Sequence, residues 1–371
     1  MIIGGGASGL MLAAMLNVNK GIMVESTDVL GSKLLLTGGG RCNITHDGSI
    51  KDFVPLYGAA GRTLRKCLYR HNNIEYVEWI ESIGVPTVVE DERYYPETMK
   101  AVTVRDALVD QARKNGWEIR TGSKVTDIER DEAGWYVRAG RERLLTENIV
   151  IATGGITFPK TGSDGSMFEV IRDLGIDVTP VRPALAPVHV RNYPYGELSG
   201  ISVPNVTVTA FSSDAAYTCK GKAARLTGDL LFMHDGFSGP VIMNISRYCE
   251  PGEMIKINYN CRLEELPKRM RRMLEDRARG DSGDIKTSIL AGLLESDGFV
   301  VDHVDMNGYV TAGGICLAEQ DAGTMELKKC PGCFAIGEAL DADGPTGGYN
   351  LQLCYSTAAT AADELRSRLE R

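Results

Sequence analysis

The sequence predicts an α/β fold that opens with a Rossmann-type βαβ unit and carries a β-rich insertion. An apolar run at residues 1–3 meets a glycine-rich turn at 4–9, and apolar residues at helical spacing follow that turn. A second apolar run, at 22–24, ends in an acidic residue. At 371 residues the chain is long enough for two domains. Strand, turn, helix and strand in this order are typical of a dinucleotide-binding unit.

Composition narrows the class of protein and of partner. The chain is 43% hydrophobic and 24% charged, which is typical of a globular protein, and its net charge of −8 argues against nucleic acid as a partner. No stretch approaches the roughly 18 apolar residues of a membrane span. Nine scattered cysteines form no disulfide framework, so we expect a reducing, cytoplasmic location. Cys330 and Cys333 have redox-pair or half-zinc-site spacing, but no second such pair accompanies them, and we expect no metal site.

The glycine turn has the spacing of a nucleotide fingerprint. Gly4 is expected to make the turn, Gly6 to let the backbone reach a pyrophosphate, and Gly9 to let helix and strand pack closely. The helix amino end then faces the phosphates, where its N–H groups and dipole stabilise negative charge. Glu25, 21 positions after Gly4, can accept hydrogen bonds from the ribose hydroxyls and would repel a 2′-phosphate. The unit therefore predicts FAD or NAD rather than NADP.

Further glycine-rich segments favour FAD, because FAD is long enough to need contacts from distant parts of the chain. Such segments lie at 38–40, after the apolar run 149–151, after the apolar run 334–336, and at 344–348, before a predicted amphipathic helix. The amino end of that helix would stabilise the negative charge of reduced flavin. The residues expected to contact FAD are Gly4, Gly6, Ala7, Ser8, Gly9, Glu25, Lys33, Gly39, Gly40, Arg41, Cys42, Val125, Ala152, Thr153, Gly154, Gly337, Glu338, Gly348, Asn350 and Leu351.

Three long motifs resemble one family of flavoproteins over essentially the whole chain. They are GGGRCN at 38–43, LTGD with HDGFSGP at 226–229 and 234–240, and DADGPTGGYNLQ at 341–352. The chain resembles the BaiN/YhiN-type flavoproteins, also described as the aminoacetone oxidase family of FAD-binding enzymes. The resemblance implies a glutathione-reductase-like FAD domain split by an inserted β-rich domain and a small helical subdomain.

The resemblance and the local patterns together predict the division of the chain. We expect residues 1–185 and 311–371 to form the FAD domain and residues 186–310 to form the inserted β-rich and helical substrate domain. Within the insertion, β-type runs are predicted at 203–211, 230–233 and 254–259, a helix at 262–278, and a turn at 280–283.

The chemistry predicted is hydride transfer between flavin N5 and a small organic substrate. Arg41 is a candidate for binding a substrate oxygen, His234 for acid/base chemistry, and Tyr349 for proton donation, each against a structural role. Cys42 is a reactive thiol or a packing residue. No second nucleotide fingerprint is present, so electrons come from the substrate or from NAD(P)H that docks transiently.

The activities known in the family do not identify the substrate. One hypothesis is that the protein is a reductase of a conjugated, steroid-like or bile-acid-like enone that uses NAD(P)H. Another is an amine oxidase that acts on aminoacetone-like substrates and uses O2. From other classes come a non-catalytic FAD-binding regulatory protein and an NAD-dependent dehydrogenase without flavin. The sequence does not predict the oligomeric state.

Overall fold

Two compact units make up the protein. The computed structural model describes residues 1–211, 223–279 and 286–370. One unit consists of Met1–Arg182 and Val310–Arg371, and the other of Pro183–Tyr309. The predicted turn at 280–283 lies outside the described residues.

The helices and strands follow one another in chain order. The first stretch contains β1 (Ile2–Ile3), α1 (Ala7–Met15), β2 (Gly21–Val24), β3 (Thr45–His46), α2 (Ile50–Phe53), α3 (Gly58–Thr63), α4 (Arg65–Arg70), α5 (Asn73–Ser82), β4 (Thr87–Glu90), β5 (Arg93–Pro96), α6 (Ala101–Lys114), β6 (Trp117–Arg120), β7 (Val125–Asp131), β8 (Gly134–Ala139), β9 (Glu142–Thr146), β10 (Ile149–Ile151) and α7 (Met167–Asp173). The middle stretch contains β11 (Arg182–Ala184), β12 (Val188–Val190), β13 (Ser202–Ala210), β14 (Ala224–Phe232), β15 (Gly236–Ser238), α8 (Pro240–Ile245), β16 (Met254–Asn258), α9 (Lys268–Arg277), α10 (Thr287–Ser296) and β17 (Asp297–Val304). The last stretch contains β18 (Val310–Ala312), β19 (Cys333–Ala335) and α11 (Tyr349–Leu369).

The first unit is built on a five-stranded parallel sheet of order β19-β10-β1-β2-β6. Ile2 of β1 pairs with Val150 on one side and Met23 on the other. The central strands are short and wholly apolar because both of their faces are covered, and α1 packs against α6 and α11. Loops that leave the carboxyl ends of parallel strands meet at one edge, which is where open α/β sheets bind ligands.

Two three-stranded antiparallel sheets also belong to the first unit. One has the order β3-β5-β4 and the other β7-β8-β9. In the first, His46 lies opposite Arg93, and Glu90 lies opposite Arg93 from the other side. Residues opposite each other in an antiparallel pair share a face. These three side chains therefore lie in one row across the sheet.

The second unit is a closed six-stranded antiparallel barrel of order β12-β15-β14-β13-β16-β17. Its core is aromatic, with Tyr195, Phe232 and Phe237 fully buried. The prediction of a helix over 262–278 is wrong at its start, since α9 begins at Lys268. Pro267 caps the helix, and a short 3₁₀ turn, Leu263–Glu265, precedes it. Among the described residues, no helix has the length and apolar character needed to cross a membrane.

The fold class predicted from the sequence is confirmed. The first unit contains a Rossmann-type parallel sheet, and the inserted unit is β-rich and also carries short helices. The β-type runs in the insertion correspond to β13, the second half of β14, and β16.

Candidate functional site

The turn between β1 and α1 has the geometry that a nucleotide turn requires. Gly4 has φ of 108°, and a Cβ there would lie 2.4 Å from the Ala152 carbonyl oxygen. A Cβ at Gly9 would lie 2.0 Å from the Gly4 oxygen, so helix and strand pack at backbone contact. A Cβ at Gly6 would meet no atom within 4 Å. Gly4 and Gly9 thus serve packing within the protein, whereas Gly6 borders open space.

The amino end of α1 faces that open space. Gly6 caps the helix in extended conformation, no side chain caps it, and its first turn holds no acidic residue. The first N–H groups of a helix lack partners within it, and these groups attract phosphate. Ala7 begins the helix, and Ser8 is buried where a Cβ at Gly337 would lie 2.5 Å from the Ser8 Oγ. The C-terminal glycine segment and the first turn of α1 therefore meet.

Glu25 lies at the carboxyl end of β2, beside the nucleotide turn. Its Oε2 accepts a hydrogen bond from the Gly5 amide at 2.7 Å, and its Oε1 accepts bonds from the Thr27 amide and hydroxyl at 2.8 and 2.9 Å. Oε2 keeps capacity for a ribose hydroxyl, because a carboxylate oxygen accepts two hydrogen bonds. The Ser123 amide donates to the Glu25 carbonyl oxygen at 2.8 Å, which ties the loop before the buried Val125 to the same edge.

An ion pair between distant parts of the chain lies at the same carboxyl edge of the parallel sheet. Lys33 Nζ donates to both carboxylate oxygens of Glu338, at 2.8 and 2.9 Å, and to Thr157 Oγ1 at 2.7 Å. The Thr311 amide donates to Glu338 Oε1 at 2.9 Å. Lys33 and Glu338, both expected at FAD from the sequence, are therefore neighbours. The loop with Ala152, Thr153 and Gly154 follows β10, and Gly154 has φ of 69°.

The glycine turn at 38–40 is exposed. Gly39 and Gly40 have φ of 66° and 88°, and a Cβ at Gly39 would touch nothing within 4 Å. Arg41 lies over the Tyr95 ring, 4.8 Å from its centroid, and its Nη1 lies 3.3 Å from Glu90 Oε1. Cys42 is buried, and burial raises the pKa of its thiol to about 12, so it is a packing thiol rather than a nucleophile.

The amino end of α11 adjoins β3. Gly348 has φ of 93°, and a Cβ there would lie 2.6 Å from the carbonyl carbon of Thr45. Asn350 holds the preceding loop, since its Nδ2 donates to the Gly344 oxygen and its Oδ1 accepts from the Gly344 amide, both at 2.9 Å. The contact with FAD that we predict for Asn350 therefore falls to its backbone amide. Leu351 is buried in the helix.

Tyr349 is largely enclosed by other rings. It stacks on His46 with ring centroids 5.1 Å apart and planes 19° apart, and it meets the edge of Phe53 at 5.1 Å. The Tyr57 hydroxyl donates to the Tyr349 carbonyl oxygen at 2.7 Å. Burial raises the pKa of Tyr349, so its hydroxyl keeps its proton at neutral pH.

The remaining candidates belong to the second unit or have buried thiols. His234 belongs to the second unit, where it is exposed in the turn between β14 and β15. Cys330 and Cys333 are buried, and burial raises the pKa of both thiols, which disfavours a reactive thiolate at neutral pH. No cluster of three or more His, Cys, Asp or Glu side chains could hold a metal ion within residues 1–211, 223–279 and 286–370.

Several polar residues at this edge have no local motif to mark them. Thr157 and Thr311 orient Glu338, His46 stacks on Tyr349, and Arg93 lies opposite His46 in the sheet. The only signal for His46 and Arg93 is their place in strands that follow the glycine turn. Cross-strand register, which brings them together, is not legible from either segment alone.

The site fits FAD by its own geometry. Open space lies before Gly6 at an uncapped helix end, the turn at 38–40 exposes backbone, and the Lys33 and Glu338 pair stands beyond the carboxyl ends of β10 and β19. The chain would hold FAD with these groups. Together with the fold, they define an FAD-dependent oxidoreductase.

Comparison with known proteins gives the family. The HI0933-like protein Rossmann domain matches residues 1–364, and the chain belongs to this family, which confirms the predicted BaiN/YhiN-type resemblance. The chain is 27% identical to a ribosomal RNA dihydrouridine synthase of Escherichia coli over 98% of its length and 97% of the relative. It is also 27% identical to a 3-dehydro-bile acid delta(4,6)-reductase of Clostridium scindens over 97% of each chain.

Solved structures share the fold at low identity. A 3-ketosteroid delta1-dehydrogenase from Sterolibacterium denitrificans aligns with a TM-score of 0.54 and 12% identity over 99% of each chain. Escherichia coli quinol fumarate reductase FrdA aligns with a TM-score of 0.52 and 13% identity over all of this chain and 70% of that one. These likenesses concern the fold.

Proposed function

We propose that this flavoprotein reduces a carbon–carbon double bond conjugated to a carbonyl group in a small organic molecule, with NAD(P)H as the electron donor. The observation that carries the proposal is the amino end of α11. Gly348 brings it against β3, and its first turn contains no acidic residue. Such a helix end stabilises negative charge, which favours reduction of the flavin by a hydride donor such as NAD(P)H.

The names of two relatives agree in chemistry. A delta(4,6)-reductase removes carbon–carbon double bonds, and a dihydrouridine synthase produces a base that differs from uracil by two hydrogens at one double bond. In both compounds that bond is conjugated to a carbonyl. Reduction of an activated double bond is therefore the activity that both names support.

In this proposal the chain's own residues hold FAD and orient the substrate. Bound FAD supplies hydride chemistry at N5. The first turn of α1 binds the diphosphate, Glu25 the adenosine ribose, and Glu338 with Lys33 the ribitol hydroxyls. Arg41, held by Tyr95 and Glu90, contacts a substrate oxygen. Tyr349 keeps its proton and is available as a donor. His234 of the second unit remains a proposed substrate contact.

A uracil base within RNA is the second candidate substrate. Two relatives are ribosomal RNA dihydrouridine synthases, from Escherichia coli and Haemophilus influenzae, each 27% identical over nearly the whole chain. A net charge of −8 weighs against strong binding of a phosphate backbone, which needs clustered positive charge. A steroid-like enone is therefore the favoured substrate class.

Anaerobic reduction and reoxidation test the proposal. The purified protein loaded with FAD should lose its flavin absorption when NADH or NADPH is added, and a 4,6-dien-3-one steroid should restore it. Uridine-containing ribosomal RNA is the second oxidant, and aminoacetone with O2 tests the amine oxidase alternative. If RNA reoxidises the flavin and the steroid does not, the substrate is a uracil base in RNA and not an enone. Flavin bleaching by aminoacetone, with peroxide formed on readmission of O2, contradicts the proposed function.

A further inference from the structure

Arg93 is a half-buried cation at the candidate site. Its Nε is buried and has no hydrogen-bond acceptor among residues 1–211, 223–279 and 286–370. In the same described ranges no carboxylate lies within ion-pair distance of Arg93, and the carboxylate opposite it in the sheet, that of Glu90, pairs with Arg41. Arginine is rarely buried unless it is paired, because the group loses its hydration without compensation. The described chain therefore supplies no acceptor for the buried Nε, and an acceptor oxygen of a bound ligand would satisfy it.

The neighbours of Arg93 are the residues around Tyr349. His46 lies directly opposite Arg93 across the β3–β5 pair, which places their Cβ atoms about 5 Å apart, and His46 stacks on Tyr349. The positive charge of Arg93 lowers the pKa of Tyr349, against the larger effect of burial and the opposing charges of Glu92 and Asp52. Arg93 therefore lies within electrostatic range of the Tyr349 hydroxyl.

The nearest acidic side chain in the same row of the sheet is already engaged. Glu90, opposite Arg93 on β4, lies 3.3 Å from Arg41 Nη1. Arg41 in turn covers the Tyr95 ring. This arrangement occupies the carboxylate of Glu90 and leaves the charge of Arg93 available to another acceptor.

We propose that Arg93, with His46 and Tyr349 beside it, forms a subsite for the carbonyl oxygen of the substrate, the oxygen on which negative charge develops during reduction. This inference rests on the proposed function. Hydride from reduced FAD, itself reduced by NAD(P)H, forms a C–H bond at the β carbon. The π electrons of the double bond move to give an enolate, and a proton from solvent water adds to the α carbon. A fixed guanidinium stabilises the enolate oxygen more than the neutral carbonyl, so its contribution falls on the transition state.

Thermal unfolding of the protein without substrate distinguishes a ligand subsite from a structural role. Arg93→Met keeps an unbranched side chain and removes a cation that lacks a partner, so we expect Tm to rise by about 2 °C or more. The matched control is Arg143→Met, because Arg143 is a strand arginine bonded to Glu129 at 2.9 Å, and we expect its Tm to stay level or fall. A fall in Tm for Arg93→Met assigns Arg93 to the fold and overturns the inference.

Binding of 4-chlorophenol tests the subsite directly, because a phenolate resembles an enolate in shape and charge. Phenolate beside oxidised flavin gives a long-wavelength absorption band, which measures its dissociation constant. We expect Arg93→Met to raise that constant about 10-fold to 100-fold, Arg93→Lys to recover part of the loss, and Arg143→Met to match the wild type. Equal phenolate binding by Arg93→Met and wild type overturns the inference, as does wild-type protein that binds no phenolate.

The two proposals fail in different ways. If the wild type holds FAD but does not pass electrons from NAD(P)H to any enone or uracil substrate, the proposed function is wrong. If the wild type reduces such a substrate and Arg93→Met does so with unchanged kcat and KM, the proposed function stands and the assignment of Arg93 is wrong.

Discussion

The two units of the chain differ in what their polar and glycine residues do. In the first unit the turns of the candidate site depend on backbone conformation, because Gly4, Gly348 and the turn at 38–40 adopt positive φ. In the second unit the polar chemistry is a buried side-chain network, in which Asp297 accepts hydrogen bonds from Tyr195 and Arg277. The difference teaches that glycine patterns identify a cofactor unit, whereas a barrel core shows its organisation only once its strands are paired.

The largest expected effect is the loss of the buried carboxylate in the second unit. Asp297 is 1% exposed and accepts from Arg277 Nη1 at 2.9 Å and from the Tyr259 hydroxyl at 3.2 Å. Asp297→Ala leaves these donors without their acceptor, and we expect a loss of about 3 kcal/mol in the free energy of unfolding, measured by urea denaturation. Asp302→Ala, which removes an exposed partner of His303, is the control and should cost about 0.5 kcal/mol or less. Similar losses in the two variants would contradict the contrast.

In the first unit the corresponding damage comes from one methyl group. A Cβ at Gly9 would lie 2.0 Å from the Gly4 oxygen, so helix and strand must separate in Gly9→Ala. We expect a loss of about 2 kcal/mol in the free energy of unfolding, together with loss of bound FAD. Urea denaturation and the flavin absorption of the purified protein measure the two effects. Retention of both stability and flavin would show that the turn does not depend on backbone contact.

A neighbouring glycine separates cofactor binding from stability. Gly6 has φ of −78° and ψ of −168°, which alanine adopts without strain, and an added Cβ meets no protein atom within 4 Å. We therefore expect Gly6→Ala to leave the Tm of the FAD-free protein unchanged and to weaken FAD binding about tenfold or more, because the methyl group occupies the space assigned to the diphosphate. Titration of the FAD-free protein with FAD measures the affinity. Unchanged affinity would place the diphosphate elsewhere.

Much of the first unit was predictable because its determinants are local. The spacing of Gly4, Gly6, Gly9 and Glu25 predicts strand, turn, helix and strand, and the structure contains them in that order. The amphipathic pattern after Gly348 predicts the final helix, which runs over Tyr349–Leu369. A positive φ or an apolar period is a property of neighbouring residues, so it can be recognised without knowledge of the tertiary fold.

The side-chain partners could not be predicted because they depend on long-range register. Lys33 and Glu338 are 305 positions apart and meet only through the parallel sheet. Arg93 meets His46 only when β3 pairs with β5. The barrel was likewise predicted as a set of strands without its closure. Its order places β13 between β14 and β16, which no local pattern specifies.

The smallest effects are expected for two glycines, one from each unit, that both have open space around them. Gly292 lies inside α10 in the second unit and Gly84 follows α5 in the first, and an added Cβ at either would meet nothing within 4 Å. Gly84 has φ of 95°, whereas Gly292 is helical. We expect Gly292→Ala to stabilise the protein by about 0.5 to 1 kcal/mol through helix propensity, and Gly84→Ala to destabilise it by about 1 kcal/mol through backbone strain. Opposite shifts in Tm would attribute the difference to backbone conformation alone, since neither methyl group touches another residue. Shifts of the same sign would contradict the view that backbone conformation decides which of these two glycines alanine can replace.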